Sequence, residues 1–277
     1  MRQVGPAMVV ASMLLTAACS SPPRLESATT ELSEVASPEG EPLAAAPQES
    51  LAYSISVAGL PVGHASLDVF AAGSGTSVQA QAETNQFVDL LYAVRGMART
   101  RLDAGGRSKS FYLWVDEDGT ESERALAFDE VPSLYYRPPG DEPWVASLTQ
   151  FRAPKDPLGL LMELRHAVPA DEPRDFEVAM TLRSFCYRTR FLGRAEVSVG
   201  AGDFAAALRW RVEVRPYREL DATQCEVGPV IGFYEIAFSD DARHLPLSIT
   251  REFGFGMVAL ELEEATGRAE PALAAAR

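Results

Sequence analysis

The chain has 277 residues, of which 47% are hydrophobic and 23% are charged, an ordinary composition for a globular protein. Its net charge of −14 and isoelectric point near 4.7 argue against a nucleic-acid partner, because a phosphate backbone requires a basic protein surface. The same acidity argues against electrostatic binding to anionic lipid, so attachment to a membrane would need another source.

The first 18 residues have the features of a secretory signal peptide. One positive charge at Arg2 precedes an apolar run from Ala7 to Leu15, and small residues complete the segment. The run is too short to span a bilayer, which takes about 20 residues. Cys19 follows directly and resembles the Cys of the bacterial lipoprotein cleavage box, at which the signal is removed and the Cys is acylated. Cys19 is therefore the predicted lipidation site, and an ordinary signal peptide followed by an unrelated Cys is the alternative.

Residues 19–50 are predicted to be the lipidated Cys and a flexible tether. Residues 20–50 are rich in Ser, Pro, Ala, Glu and Thr and contain no aromatic residue, so they cannot bury enough apolar surface to offset their ordering entropy. As a coil this segment would span about 30 Å. Ser20 stands where an Asp would favour retention in the inner membrane in the lipoproteins that this segment resembles. We therefore expect a lipid-anchored protein of the bacterial cell envelope, in the outer membrane and facing the periplasm, with the inner membrane as the alternative.

Residues 51–264 are predicted to form a single β-rich domain. Apolar and polar residues alternate in a hairpin from Tyr53 to Val69, in a second hairpin over 109–128, and in strands between 176 and 263. A short helix is predicted over 85–91. The expected fold class is mainly β: a single antiparallel curved sheet of about ten strands, forming a barrel or half-barrel.

One longer helix is predicted over 156–167 and is expected to pack against the sheet. Asp156 can cap it, Pro157 suits its first turn, and leucines follow at helical spacing. The Pro-rich and aromatic-rich residues 132–154 are predicted to be a long connection that lines a groove. The Ala-rich residues 265–277 are predicted to be a disordered tail.

Four basic side chains fall on the polar faces of predicted strands. His64 lies on such a face in the second strand, where a lone His is most simply a surface residue. Arg95, Arg99 and Arg101 share a face of another strand, and they either bind an anion or pair with nearby carboxylates. Neither pattern identifies a functional site by itself.

Two further cysteines, Cys186 and Cys225, are a candidate disulfide. In an oxidising envelope compartment two such thiols can pair, and closing the loop between them would stabilise the fold by about 4 kcal/mol. Two buried free thiols are the alternative. The sequence contains no nucleophile elbow, no paired-His zinc motif and no phosphate-binding loop. We therefore predict no catalytic residue, no metal site and no cofactor.

Three segments together resemble a known bacterial family. They are the opening hairpin with Gly59-Leu60-Pro61-Val62-Gly63 at its turn, the segment from Lys155 to Arg165, and the close from Phe238 to Leu247. This pattern is similar to the family catalogued as domain of unknown function 3108, over roughly residues 51 to 263. The resemblance implies an exported, β-rich envelope protein, and it implies no reaction.

The functional expectation from the sequence is a non-enzymatic cell-envelope lipoprotein. Its expected partners are a membrane, reached through the lipid anchor, and a hydrophobic ligand or lipid bound on the concave face of the sheet. That second part rests on an analogy of fold class with lipid-carrier proteins of the periplasm. The alternative is a structural or assembly protein that binds an envelope protein.

Overall fold

The computed structural model describes residues 46–130, 132–139, 144–147, 154–180, 184–216 and 228–267, with only the backbone described for 144–147 and Ser184. The predicted signal peptide, Cys19, Cys225, nearly all of the predicted tether and most of the predicted tail lie outside these residues. Strand structure begins at Glu49 and ends at Gly267, so the folded segment exceeds the predicted domain by a few residues at each end.

Antiparallel strands, numbered in chain order, form one sheet. The first seven are β1 (Glu49–Val57), β2 (Leu60–Ala72), β3 (Gly75–Thr84), β4 (Val94–Leu102), β5 (Ser108–Glu117), β6 (Thr120–Ala127) and β7 (Ser133–Arg137). The others are β8 (Trp144–Ser147), β9 (Arg174–Ala179), β10 (Ser184–Val199), β11 (Gly202–Pro216), β12 (Gly232–Phe238), β13 (Pro246–Phe253) and β14 (Gly256–Gly267).

The sheet is a continuous series of antiparallel pairs in which the first and last strands of the chain are neighbours. Its order is β8-β7-β6-β5-β4-β3-β2-β1-β14-β13-β12-β11-β10-β9. Strand β1 pairs with β14 from Glu49↔Gly267 to Val57↔Val258. Strands β8 and β9 are the two edges, and in the part of the chain that the structure describes no ladder joins them. The predicted fold class is confirmed as a mainly β, single antiparallel sheet, and the sheet is not closed.

The described ranges contain fourteen strands, more than the predicted number of about ten. The prediction of a long connection over 132–154 is wrong, because β7 and β8 lie within that segment and pair with each other. The prolines around these two short strands favoured a loop over strand structure in the prediction. They are tolerated here because they flank short strands at the edge of a sheet, where a missing N–H donor breaks no central ladder.

Two of the hairpin turns are two-residue turns with positive φ. In the β5–β6 turn, Asp118 and Gly119 both have positive φ, 52° and 79°, which is the conformation of a two-residue type I′ hairpin. The β1–β2 turn is built in the same way by Ala58 and Gly59, with φ of 50° and 80°. The residues from Leu60 to Gly63, which the sequence placed in this turn, lie in β2 instead. The strands on either side of each turn therefore keep a tight register.

Two helices are described, and both match their predictions. Helix α1 (Gln86–Asp89) is short, and the Asn85 side chain caps it by accepting a hydrogen bond from the Val88 N–H at 3.0 Å. Helix α2 (Pro157–Arg165) begins after its predicted cap, Asp156, and has Pro at its first position. Seven residues of α2 are buried, whereas none of α1 is.

One hydrophobic core lies between α2 and the inward face of the sheet. Side chains from both halves of the sheet, such as Ile55, Phe111 and Leu260, are at most 4% exposed and belong to the same cluster as Leu158 and Leu164 of α2. Alternation along each strand places these side chains on one face and polar side chains on the other. The core therefore occupies the concave side of the sheet.

Because consecutive strands alternate in direction, the sheet has two rims. One rim contains the start of β1, the end of β4 and the start of β5, and there α2 attaches to Glu49, Thr100 and Ser108. We call it the helix rim. The opposite rim contains the β1–β2, β5–β6 and β13–β14 turns and the connection that carries α1.

Candidate functional site: the apolar rim

The concave face of the sheet is filled with side chains. Its apolar residues are 0–9% exposed, and the leucines and Met162 of α2 pack among them. A hydrophobic ligand on this face, which the sequence predicted, would have to displace α2 from the core. A ligand-binding site is therefore more readily accommodated on a surface other than the concave face.

The first end of α2 is held to the sheet through the buried carboxylate of Asp156. Its two oxygens accept hydrogen bonds from the Gly159 N–H at 2.8 Å, the Thr100 hydroxyl at 2.7 Å and the Ser108 hydroxyl at 2.5 Å. Burial raises the pKa of the Asp156 carboxyl above its ordinary value, although each of these hydrogen bonds lowers it. Asp156 is thus both a helix cap and a cross-link between α2 and the β4–β5 hairpin.

The other end of α2 is held by a buried ion pair. The Arg165 guanidinium donates to the two carboxylate oxygens of Glu49 at 2.5 and 2.9 Å, and both side chains are 3% exposed. Arg165 also donates to the backbone carbonyl of Arg243 at 2.7 Å. A bidentate pair satisfied in this way fixes geometry, and it ties α2 to the start of β1 and to the β12–β13 turn.

The opposite rim carries most of the large apolar side chains that the described residues expose. Ten such side chains are exposed in the part of the chain that the structure describes, and eight of them lie at this rim, with exposed fractions between 44% and 82%. Scattered exposed apolar residues are normal, whereas a cluster of them marks a site of interaction. The cluster, which we call the apolar rim, consists of Leu60, Phe87, Leu90, Leu91, Val230, Ile231, Phe255 and Met257.

Helix α1 presents three of these residues because its connection is held rigidly by polar groups. The Asn85 amide donates to the Pro61 carbonyl at 3.0 Å, and the Asn85 N–H donates to the Val62 carbonyl at 2.8 Å. The Thr84 hydroxyl donates to the Asp89 carboxylate, which lies at the end of the helix. With its polar groups facing the sheet, α1 leaves Phe87 and the two leucines that follow it in solvent.

The remaining members adjoin α1 around the rim. The Ala58 N–H donates to the Met257 carbonyl at 2.7 Å, which joins the β1–β2 turn to the start of β14. In the next turn the rings of Phe253 and Phe255 are stacked with their centroids 5.4 Å apart. The N–H of Ile231 pairs with the end of β11. The apolar rim therefore extends from α1 to the start of β12.

The family match follows the same boundaries as the sheet. The family model described as "Protein of unknown function (DUF3108)" matches residues 52–263, which run from β1 to near the end of β14. The chain belongs to the DUF3108 family. The predicted resemblance is thereby confirmed, and no curated protein sequence matches this DUF3108 chain.

Two solved structures are similar to the DUF3108 chain. A β-barrel-like protein of the domain of unknown function DUF1849 from Brucella abortus has a TM-score of 0.52 and 13% identity, covering 79% of this chain and 97% of that one. This likeness concerns the fold alone. A proposed lipoprotein from Parabacteroides distasonis ATCC 8503 covers 80% of this chain and 96% of its own, with 11% identity and a TM-score of 0.37.

The predicted site residues are only partly within the described part of this DUF3108 chain. Cys19 and Cys225 lie outside it, so lipidation and the pairing of Cys225 stay predictions. Cys186 is buried in β10 and is disulfide-bonded. In the turn before β13, Asp240 pairs with Arg194, and Asp241 accepts backbone N–H groups of its own turn.

The structure also bears on membrane and metal sites. None of the helices in the described ranges has the length and hydrophobicity that crossing a membrane requires. Among the same residues, no group of three or more His, Cys, Asp and Glu side chains is arranged to hold a metal ion.

The apolar rim was not predicted from the sequence. Its one sequence signal was the apolar spacing of residues 87–91, which predicted a helix and not the solvent exposure of its apolar side chains.

Proposed function

We propose that this protein is a non-enzymatic lipoprotein of the bacterial cell envelope, tethered through an acylated Cys19, whose folded domain contacts lipid through the apolar rim. The outer membrane, on its periplasmic side, is the proposed location because Ser20 follows the Cys. The observation that carries the proposal is the concentration of exposed apolar side chains at one rim of a sheet whose concave face is already filled.

Lipid suits the apolar rim because of the chemistry of its members. They are Leu, Ile, Val, Met and Phe side chains, and none of the eight is basic or a Trp or Tyr. The residues that dominate binding energy in protein interfaces are enriched in Tyr, Trp and Arg, and Leu and Val are under-represented among them. Each such side chain would gain about 1.5–3 kcal/mol on full burial in an acyl-chain environment. The net charge of −14 favours this apolar mode over attraction to anionic headgroups.

The dimensions of the domain are compatible with contact to the membrane that holds the anchor. Residue 46, where the description of the chain begins, lies beside the helix rim, because the Gln48 N–H donates to Val69 near the end of β2. Strand β1 has nine residues and therefore spans about 30 Å between the two rims. The predicted tether also spans about 30 Å as a coil, so it could allow the apolar rim to face the same bilayer.

The lipid anchor is tested by replacing its sulfur. We expect the full-length protein with Cys19→Ser to lose its acyl mass and to leave the membrane fraction of the cell envelope. Mass spectrometry and fractionation of envelopes measure these two changes. Unchanged mass and unchanged fractionation would contradict the proposed anchor.

The apolar rim is tested separately, in the chain from residue 19 onward that carries Cys19→Ser. We expect it to sediment with neutral phosphatidylcholine vesicles, and we expect the triple variant Phe87→Ser, Leu90→Ser and Leu91→Ser to bind about tenfold or more weakly. Val168→Ser is the matched control, because Val168 is 72% exposed but follows α2 on the side of the helix rim.

Two results would contradict lipid contact at the apolar rim: no sedimentation of the parent chain, or equal sedimentation of the triple variant with circular dichroism unchanged. A protein partner is the alternative, and it would be detected by cross-linking in intact envelopes. The feature that favours this alternative is edge strand β8, which in the described residues pairs on one side only, with β7.

A further inference from the structure

A groove crosses the outer face of the sheet over β2, β3, β4 and β5, on the side opposite the core and next to the apolar rim. Its volume is about 460 Å³. Alternation places every second side chain of these strands on this face, and register makes those side chains lateral neighbours. The side chains that line the groove include His64, Gln81, Glu83, Arg95, Met97 and Trp114.

The polar side chains of the groove differ from those next to them on the same face. One row away, Arg99 donates to Gln79 at 2.6 Å, and the Tyr112 hydroxyl donates to Glu123 at 2.5 Å. The five polar side chains of the groove, by contrast, make no side-chain hydrogen bond or ion pair with any residue that the structure describes. Those five are His64, Ser66, Gln81, Glu83 and Arg95.

Two of these residues have opposite charges and nevertheless do not pair. Glu83 and Arg95 are direct cross-strand partners, and His64 is the partner of Glu83 on the other side. No ion pair within 4.0 Å joins Glu83 to Arg95, although such a pair would be the ordinary outcome of this register. The groove lining thus contains one carboxylate and one guanidinium that both remain available, and Asp116, the partner of Arg95 on β5, lies beside this lining.

This combination defines the ligand by its chemistry. A carboxylate only accepts hydrogen bonds, a guanidinium only donates them, and an amide or imidazole does both. An anion would be repelled by Glu83 and a cation by Arg95. Hydroxyl groups donate and accept alike, so an uncharged ligand with many hydroxyls can satisfy all five polar side chains at once.

Trp114 and Met97 add a flat apolar surface beside these polar groups. The two are cross-strand partners, and the indole is half-buried in the groove. The face of an indole carries negative charge density, which attracts the C–H bonds on one side of a sugar ring. We propose that this groove binds an uncharged saccharide, with Trp114 stacking on a sugar ring and Gln81, Glu83 and Arg95 bonding its hydroxyls.

The site is independent of the proposed membrane function, and it is tested with soluble sugars. The chain from residue 19 onward with Cys19→Ser is titrated with maltotriose and with the uncharged N-acetylglucosamine trimer, and binding is measured by NMR. Any detergent present must not be a glycoside, because its headgroup would compete. We expect saturable binding of at least one trisaccharide, and about tenfold or greater weakening by Trp114→Ala and by Gln81→Ala.

Matched controls lie two residues away on the same strands and the same face. Gln79→Ala and Tyr112→Ala remove side chains outside the groove, and we expect them to leave trisaccharide binding unchanged. The proposal is overturned if neither trisaccharide binds saturably, or if Trp114→Ala binds as tightly as the parent while its thermal unfolding is unchanged. It is also overturned if the zwitterionic peptide glycylglycine binds at Trp114 and the trisaccharides do not.

Discussion

The helix rim and the apolar rim use the same strands in opposite ways. At the helix rim, polar groups are buried and paired: Asp156 has three donors, and Arg165 forms a two-bond pair with Glu49. At the apolar rim, the polar groups of the α1 connection bond the backbone of the sheet, and the apolar side chains face solvent. Helix α2 covers the core from the helix rim. The opposite rim does not have to be covered for the chain to fold, so its apolar side chains can stay exposed.

The largest effect is expected at the buried ion pair. Arg165→Met leaves the Glu49 carboxylate buried, with the longer pair to Arg243 at 3.4 Å as its remaining ion pair among the described residues, so we expect it to lower the free energy of unfolding by about 3–5 kcal/mol. Urea denaturation measures this change. The double variant Glu49→Gln and Arg165→Met should lose less than the single one, because no unpaired charge remains. A loss below about 1 kcal/mol for Arg165→Met would mean that the pair does not hold the helix rim together.

The next effect is expected at the other end of α2. Asp156→Ala removes the helix cap and leaves the Thr100 and Ser108 hydroxyls without this acceptor, so we expect a loss of about 1–3 kcal/mol in unfolding free energy. Asp175→Ala is the control, since it removes a partly exposed carboxylate that pairs with Arg188, and it should cost less than about 1 kcal/mol. Equal losses for the two variants would be evidence against a special role for the buried carboxylate.

The pH dependence of stability should have opposite signs at a buried and an exposed carboxyl. Burial raises the pKa of the Asp156 carboxyl in the folded state, so the folded chain binds the carboxyl proton more tightly than the unfolded chain does. The contribution of Asp156 to the free energy of unfolding therefore falls as pH rises above about 4. Asp156→Asn removes that fall, and its unfolding free energy relative to the parent should therefore increase with pH.

Asp103 provides the comparison for this pH experiment. Backbone N–H donation from Arg107 and Gly105, with the Arg107 side chain, lowers the pKa of Asp103, so its contribution is present above about 4 and is lost as pH falls. Asp103→Asn should therefore lose stability relative to the parent as pH rises through that range. Chemical denaturation between pH 3 and pH 7 measures both differences, and equal signs would contradict the assignment.

The smallest stability effect is expected at the apolar rim. Leu91 is 82% exposed, so Leu91→Ser should change the unfolding free energy by no more than about 0.5 kcal/mol. Leu164→Ala, in the buried face of α2, should cost about 2–5 kcal/mol under the same conditions. A loss at Leu91 comparable to that at Leu164 would show that the apolar rim is part of the core, and the proposed role in lipid contact would then lose its basis.

Much of the fold could be predicted because the relevant signals are local. Alternation in β1 and β2, the type I′ turn at Asp118 and Gly119, and the cap at Asp156 are each encoded within a few residues. Strands β7 and β8 could not be predicted, because their prolines and aromatics are as compatible with a loop as with an edge strand. Only pairing to β6 distinguishes the two.

The candidate sites could not be predicted from the sequence in the same way. His64, Glu83 and Arg95 lie on three separate strands, and only the register of the sheet makes them neighbours in one groove. The apolar residues of α1 have the spacing of a helix that packs against a core, yet the core is closed by α2 from a distant part of the chain. The spacing of apolar residues in the sequence indicates a helix, but it does not indicate which helix packs against the concave face.

The sequence by itself determined the β-rich class, the two helices with their caps, the existence of the hairpins and the candidate anchor at Cys19, because each of these depends on neighbouring residues. Tertiary structure alone decided that the concave face is filled, that the apolar side chains collect at one rim, and that unpaired polar groups meet across three strands. These features depend on burial and register, and both are set by contacts between residues far apart in the chain.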